Sequence, residues 1–213
     1  MFDQLIPRRV HSTIAELFLG IRTTGSSPVP DGAIMIPYIP IPYRAIFPIL
    51  STVALGPEDV FVDVGCGKGR MVCCASRWPA REVIGIDFDQ ALVRAAQRNC
   101  ERVRGRQAPT RLLCARAEDF SYADITVAYL YHPFERPVME RFLARFETTM
   151  RRDRSVRIVY ANPVHDDLFR SADWLVEEEV WPDKTISGFP HRVSFWRTRL
   201  GPTGRNDPLP GGT

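Results

Sequence analysis

The stretch FVDVGCGKGR, residues 61–70, has an apolar run that ends at an acid, after which glycine occupies every second position. The apolar run predicts a buried strand, and residues 70–78 predict a helix. Glycines between the two let the backbone turn and approach a ligand without a Cβ in the way. Because α/β sheets bind ligands at the carboxyl ends of their strands, we expect this loop to bind one.

Two common glycine-rich loops do not fit this spacing. A P-loop requires four residues between its glycines and a Ser or Thr after Gly-Lys, whereas Lys68 is followed by Gly69. A dinucleotide loop requires GxGxxG, whereas this chain has GxGxG with Arg70 where the third glycine belongs. Asp63 would also repel a pyrophosphate and attract a cation. The loop therefore predicts a ligand that is cationic and carries no phosphate.

The chain after residue 57 alternates between strand-like and helix-like segments. Strands are predicted at 59–65, 82–87, 110–117, 125–131, 155–161, 174–181 and 191–198, and helices at 70–78, 90–104 and 136–150. Such alternation is typical of a parallel sheet with helices on both faces. The last two strands lack a helix between them, so they predict an antiparallel hairpin.

Composition is consistent with a soluble globular chain: 213 residues, 45% hydrophobic, 25% charged and a net charge of +3. No apolar run approaches the roughly 20 residues that span a bilayer, and the N-terminus has no signal-peptide pattern. A cytoplasmic protein without membrane contact is expected. The five cysteines form no CxxC pair, so neither a disulfide framework nor a metal site is predicted. The arginine clusters lack interleaved aromatic residues, which argues against nucleic-acid binding.

The loop with its preceding acid resembles motif I of the class I, Rossmann-like S-adenosylmethionine-dependent methyltransferases. The resemblance covers roughly residues 57–200. It is strongest to a bacterial subgroup with a DVFVDLGCGKGR-type motif and extends distantly to the non-SET histone lysine methyltransferases. It implies a Rossmann-like α/β fold with a seven-stranded, mostly parallel sheet, a C-terminal antiparallel hairpin and an N-terminal helical and proline-rich lid. It also implies S-adenosyl-L-methionine as the cofactor.

The resemblance assigns cofactor contacts to several residues. Asp63 would act at the methionine end, and Asp87, about 20 residues beyond the glycines, would bind the ribose hydroxyls. The loop residues with a predicted cofactor contact are Gly65, Cys66, Gly67 and Gly69.

The adenine contacts depart from the family pattern. Arg116 stands where many members carry an adenine-binding acid. The groups that could replace that acid are the Glu118 and Asp119 carboxylates, the Ala117 backbone, and the apolar neighbours Phe88 and Phe120.

The segment YLYHPF, residues 129–134, resembles the acceptor motif at the end of the fourth strand of these enzymes, with His132 in the position of an acid or amide. His132 and Tyr131 are the predicted catalytic residues, because imidazole can remove an acceptor proton near neutral pH. Pro133 and Phe134 are predicted to contact the substrate.

A second acceptor patch is the YANPVH segment, residues 160–165, in which Asn162 or His165 could reach the same cleft. The alternative is a proline-assisted turn into a helix. His11 and His191 lie away from the predicted strand ends and are expected to be structural or solvated.

The segment PYIPIPY, residues 37–43, is similar to a Tyr-x-Pro-Thr-Pro-Tyr stretch of the bacterial subgroup. Tyr43 would close over the cofactor and Tyr38 over the substrate. The alternative is a proline-rich wrap that packs its aromatic rings onto the core. The predicted division is a lid at 1–45, a methyltransferase domain at 46–200 and a disordered tail at 201–213.

The acceptor predicted by the resemblance is a nitrogen or oxygen atom, more often of a small molecule or sugar-like metabolite than of a protein. Two alternatives stay open: a protein or peptide amine methyltransferase, and a cofactor-binding subunit without chemistry of its own.

Overall fold

The computed structural model describes residues 8–25 and 38–200. The strands of this part are β1 (Val60–Val64), β2 (Glu82–Asp87), β3 (Thr110–Cys114), β4 (Val127–Tyr131), β5 (Arg157–Ala161), β6 (Leu175–Trp181) and β7 (Val193–Thr198). The helices are α1 (Arg8–Leu19), α2 (Tyr43–Val53), α3 (Arg70–Ala75), α4 (Gln90–Arg102), α5 (Arg136–Thr149) and α6 (Asp166–Ser171).

The strands form one sheet in the order β3-β2-β1-β4-β5-β7-β6. The first five of these are parallel to one another, and β7 runs antiparallel to both β5 and β6. The predicted α/β, Rossmann-like, seven-stranded sheet with a C-terminal antiparallel hairpin is confirmed. The order reverses at β1, so the ligand site is expected at the carboxyl ends of β1, β2 and β4.

The sheet carries an apolar cluster on each face. Phe61 and Tyr129 belong to a cluster with residues of α2, α3 and α4, whereas Val62 and Ala128 belong to a cluster with residues of α5. Side chains alternate between faces along each strand. Burial on both faces explains why β1, apart from Asp63, and most of β4 are apolar rather than alternating.

One local feature differs from the prediction, and another decides between two alternatives. The third strand ends at Cys114 instead of residue 117, so residues 115–118 form a loop at the cavity edge. Helix α6 follows β5, as the turn-into-helix alternative for residues 160–165 describes, and His165 occupies its N-cap position.

The described part of the N-terminal segment packs onto the core. Leu19, Ile21 and Ile41 are almost fully buried within the same cluster as α2 and α3. The predicted boundary at 45/46 falls inside α2, and the division into lid and domain stays a prediction. Residues 1–7 and 26–37 of that segment and the predicted disordered tail 201–213 lie outside the described residues. No helix in the described ranges is long and apolar enough to cross a membrane.

Candidate active site

A cavity of about 330 Å³ lies where the carboxyl ends of β1, β2 and β4 meet. The predicted site residues that line it are Tyr38, Asp63, Gly65, Cys66, Asp87, Phe88, Ala117, Glu118, Tyr131, His132, Pro133, Phe134 and Asn162. Those that do not line it are Tyr43, Gly67, Gly69 and His165. The fold therefore brings most of the predicted residues to one cavity.

The glycine loop is held in a shape that only glycine adopts easily. Gly65 and Gly67 have φ values of +80° and +54°. A Cβ on Gly65 would lie 2.7 Å from Pro133 Cβ, and one on Gly67 would lie 2.2 Å from the ring of Tyr38. The loop is thus in close contact with the β4–α5 connection on one side and with the N-terminal segment on the other.

Two carboxylates lie beside this loop. Asp87 accepts hydrogen bonds from the Gly67 amide at 2.8 Å and the Asp89 amide at 2.9 Å, one on each oxygen. Each of these oxygens keeps a second lone pair for a ligand hydroxyl. Asp63 is only 4% exposed. Burial first, and then the charge of Asp87, raises the pKa of Asp63 well above its usual range. A buried carboxylate of this kind is stabilised by a cationic ligand.

Of the two carboxylates that could replace the adenine-binding acid, Glu118 lines the cavity. Its carboxylate lies 3.8 Å from Arg116 and 3.5 Å from Arg141, which compensate its charge. Asp119, the other proposed substitute, lines a neighbouring groove instead. Phe88 lines the cavity although its side chain is 41% exposed. An apolar ring and a carboxylate at this end are suited to a heteroaromatic base with an amino group.

Arg70, the first residue of α3, joins the loop to the N-terminal segment. Its guanidinium is 4% exposed. It donates hydrogen bonds to Thr23 Oγ1 at 2.7 Å, to the Ile41 carbonyl at 2.9 Å and to Glu16 Oε1 at 3.1 Å. Tyr43 lies under this guanidinium at 4.3 Å. Tyr43 is therefore a core residue that reaches the cavity only through Arg70.

Tyr38 is positioned by the same network. Its hydroxyl donates a hydrogen bond to the Thr23 carbonyl at 2.7 Å, and its ring lies against Gly67. Lys68 Nζ is 5.1 Å from the ring centroid. The Tyr38 ring is thereby fixed as part of the cavity wall.

The ends of β4 and β5 both carry a non-glycine residue with positive φ: His132 at +36° and Asn162 at +51°. Such strained backbone is concentrated at functional sites. His165 lies outside the cavity lining, but its ring centroid is 5.5 Å from that of His132. Within the described ranges, His132 Nδ1 and His165 Nε2 are buried without a hydrogen-bond partner.

The surroundings of His132 favour the neutral form of its imidazole. Burial lowers its pKa, and the neighbouring His165 lowers it further. A neutral imidazole at the cavity wall is able to accept a proton.

The cavity residues without a predicted role include Arg70, Tyr129 and His191. The expectation that His191 is structural or solvated overlooked its position, because β7 pairs with β5 and carries the preceding residues to the end of β5. Arg70 was visible in the sequence as a charge next to the glycine loop. For Tyr129 the only signal was a hydroxyl within an apolar strand.

A family model and two curated relatives each match part of this chain. A family model described as a methyltransferase domain matches residues 61–153. A protein-lysine N-methyltransferase from Saccharolobus islandicus (strain REY15A) is 28% identical over 68 residues, which are 32% of this chain and 42% of the relative. A trans-aconitate 2-methyltransferase from Azoarcus sp. (strain BH72) is 30% identical over 89 residues, 41% of this chain and 35% of the relative. The chain thus spans less than half the length of these curated relatives.

Solved structures share the fold. An RNA methyltransferase from Salinibacter ruber, in complex with S-adenosyl-L-homocysteine, has a TM-score of 0.57 at 21% identity. The match covers 78% of this chain and 97% of the Salinibacter chain. A SAM-dependent O-methyltransferase from Thermotoga maritima has a TM-score of 0.58 at 11% identity. The match covers 78% of this chain and 68% of the Thermotoga chain.

Proposed function

We infer that this chain, which contains a class I S-adenosylmethionine-dependent methyltransferase domain, transfers a methyl group to a nitrogen or oxygen atom of a small-molecule acceptor. The observation that carries this proposal is the buried Asp63 beside the glycine loop, with Asp87 at the end of the next strand. Two acids that lie together in one cavity repel a pyrophosphate, so they favour a cationic nucleoside over a dinucleotide.

The residues of the cavity fit the cofactor from one end to the other. Asp63 would hold the cationic methionine end, Asp87 the ribose hydroxyls, and Phe88 with Glu118 the adenine. When bound, S-adenosylmethionine would supply a methyl group on a sulfonium: the acceptor atom would attack the methyl carbon in line with the C–S bond, and S-adenosylhomocysteine would leave with the bonding electron pair.

The chain itself orients the acceptor and accepts its proton. His132, Asn162 and Tyr131 all line the cavity. A neutral His132 is able to take the proton that a hydroxyl or an ammonium group must lose. The Tyr38 ring covers the glycine loop, which excludes water from this region.

A small-molecule acceptor is favoured by the chemistry of this wall. The described lining residues from the ends of β4 and β5 and from the start of β7 include two histidines and an asparagine, but no carboxylate. A lysine ammonium would find no opposite charge on that wall. The relative named for trans-aconitate supports a small-molecule acceptor as well.

A protein amine is the second candidate, and it is supported by the relative named as a protein-lysine N-methyltransferase. Its match covers a third of this chain and bears on the acceptor only indirectly. The acceptor experiment below separates the two candidates.

The first test is calorimetric titration with S-adenosylmethionine, S-adenosylhomocysteine and NADH. We expect the two sulfur nucleosides to bind in the micromolar range, and Asp87→Ala to weaken binding about 10-fold or more, because the ribose hydrogen bonds are lost. Binding of NADH without binding of the sulfur nucleosides would disprove the proposal.

The second test uses S-adenosylmethionine with a labelled methyl group. The chain is incubated with a metabolite extract and, separately, with a protein fraction, and a mass gain of one methyl group is sought in each. Label in the metabolite extract supports the small-molecule acceptor. Label in the protein fraction alone supports the second candidate, and cofactor binding without label in either supports a subunit without chemistry of its own.

A further inference from the structure

The hydroxyl of Tyr129 is a buried polar group that the proposed roles leave unexplained. Tyr129 is in the middle of β4, is 1% exposed and lines the cavity. Within residues 8–25 and 38–200 its Oη has no hydrogen-bond partner. By contrast, the equally buried Tyr122 donates its hydroxyl hydrogen bond to the Ala117 carbonyl at 2.9 Å. Because a buried hydroxyl without a partner is costly, a missing partner is to be expected in the cavity.

The position of Tyr129 relative to Asp63 indicates which part of a ligand it faces. The two residues are register partners on the adjacent parallel strands β1 and β4. Paired residues project from the same face of a sheet, so their side chains are neighbours. Burial first, and then the charge of Asp63, raises the pKa of Tyr129 well above its usual range. The phenol therefore stays protonated and can donate a hydrogen bond.

Arg70 is a second side-chain donor that lines this cavity, and it is already engaged. Arg70 lines the same cavity, but its guanidinium donates to Thr23, to Glu16 and to the Ile41 carbonyl. Asp63 can only accept when it is ionised. Tyr129 thus supplies a donor that has no partner among the described residues, on the strand next to that of Asp63.

We propose that the Tyr129 hydroxyl is a binding group for the amino-acid end of the cofactor, where it complements Asp63. The inference rests on the proposed function. An amino-acid end carries both an ammonium and a carboxylate, so it requires an acceptor and a donor side by side. Asp63 provides the acceptor for the ammonium, and the Tyr129 hydroxyl provides the donor for the carboxylate.

The test compares two ligands on the wild type and on Tyr129→Phe. S-adenosylhomocysteine has the amino-acid end, whereas 5′-methylthioadenosine lacks it and keeps the adenine and ribose. We expect Tyr129→Phe to weaken S-adenosylhomocysteine about 10-fold or more, because a hydrogen bond to a charged group is lost. The affinity for 5′-methylthioadenosine should change less than about twofold, since its contacts remain. Calorimetric titration measures both affinities.

Thermal unfolding of the unliganded protein provides a second readout. Tyr129→Phe removes a hydroxyl without a partner, so its Tm should stay unchanged or rise. The control Tyr122→Phe removes a satisfied hydroxyl and leaves the Ala117 carbonyl unpaired, so its Tm should fall by a few degrees.

Three outcomes overturn the inference: an unchanged affinity for S-adenosylhomocysteine, equal weakening of both ligands, or a Tm that falls in Tyr129→Phe as it does in the control. Equal weakening would mean that the ring only packs the cavity. Failure of the proposed function is seen separately, because the wild-type chain would then not bind S-adenosylhomocysteine at all.

Discussion

Replacement of Asp63 by Asn should increase the stability of the unliganded protein and reduce its affinity for the cofactor. Asp63 is buried near Asp87, and no positively charged group in the described part of the chain lowers its pKa. Asparagine has nearly the same shape but no charge, and its amide can donate toward Asp87. The substitution therefore removes an unfavourable charge from the empty cavity and also removes the group that attracts a cation.

The magnitudes follow from the burial of this carboxylate. A buried polar group without adequate partners costs about 1–3 kcal/mol. For a chain of this size, each kcal/mol changes Tm by about 2–4 °C, so Asp63→Asn should raise Tm by several degrees. The lost charge-assisted hydrogen bond is worth about 1.5–3 kcal/mol, which corresponds to about 10- to 150-fold weaker binding.

The gain in stability should depend on pH in a defined direction. Because the pKa of Asp63 is higher in the folded than in the unfolded protein, the folded state binds this proton more tightly. Ionisation therefore destabilises the wild type as pH rises from the unfolded pKa of about 3.9 through the raised folded pKa. The difference in Tm between Asp63→Asn and the wild type should disappear toward about pH 4 and should grow as the pH rises above that value. Thermal unfolding between pH 4 and 8 measures it.

Asp59→Asn is the matched control. The Asp59 carboxylate lies 2.8 Å from Arg157 and accepts a hydrogen bond from Thr126 at 2.7 Å, outside the cavity. Despite the opposing effect of burial, its hydrogen bonds lower its pKa. The same substitution should therefore lower Tm at neutral pH and leave cofactor affinity unchanged. A lower Tm in Asp63→Asn, or undiminished binding of S-adenosylhomocysteine, would refute the reasoning.

Arg70→Met should destabilise the fold by about 3–5 kcal/mol, because Glu16 loses its largely buried partner. Arg111→Met should cost no more than about 1 kcal/mol, because the ion pair between Arg111 and Glu82 is solvent-exposed. Denaturant unfolding measures the stability of both variants. Equal losses of stability would contradict a structural role for Arg70. In NMR titration of the ring protons, His132 should have a pKa below its ordinary value of about 6.5, because burial, His165 and His191 outweigh Glu135. His165→Gln should raise the pKa of His132, and no change would show that the two rings are not coupled.

Much of the sheet and half of the site were readable from local patterns. Continuous apolar segments alternating with helical ones predicted the strands, since burial on both faces leaves that signature in each strand separately. The glycine loop and Asp63 were equally visible, because backbone turns with positive φ and a charge next to them are properties of neighbouring residues. Asp87 followed from its distance along the chain. These predictions required no knowledge of which strand pairs with which.

The tertiary structure decided what depends on pairing between distant segments. Strand order placed His191 beside the end of β5, and register placed Tyr129 opposite Asp63 on the neighbouring strand. The burial of Arg70 arises from groups on α1 and on the segment that precedes α2. Sequence periodicity indicates that a residue is buried, but not what it faces once it is buried. Whether a buried polar atom finds a partner is a property of the packed molecule, and here it separated Tyr122, which is satisfied within the core, from Tyr129, which is not.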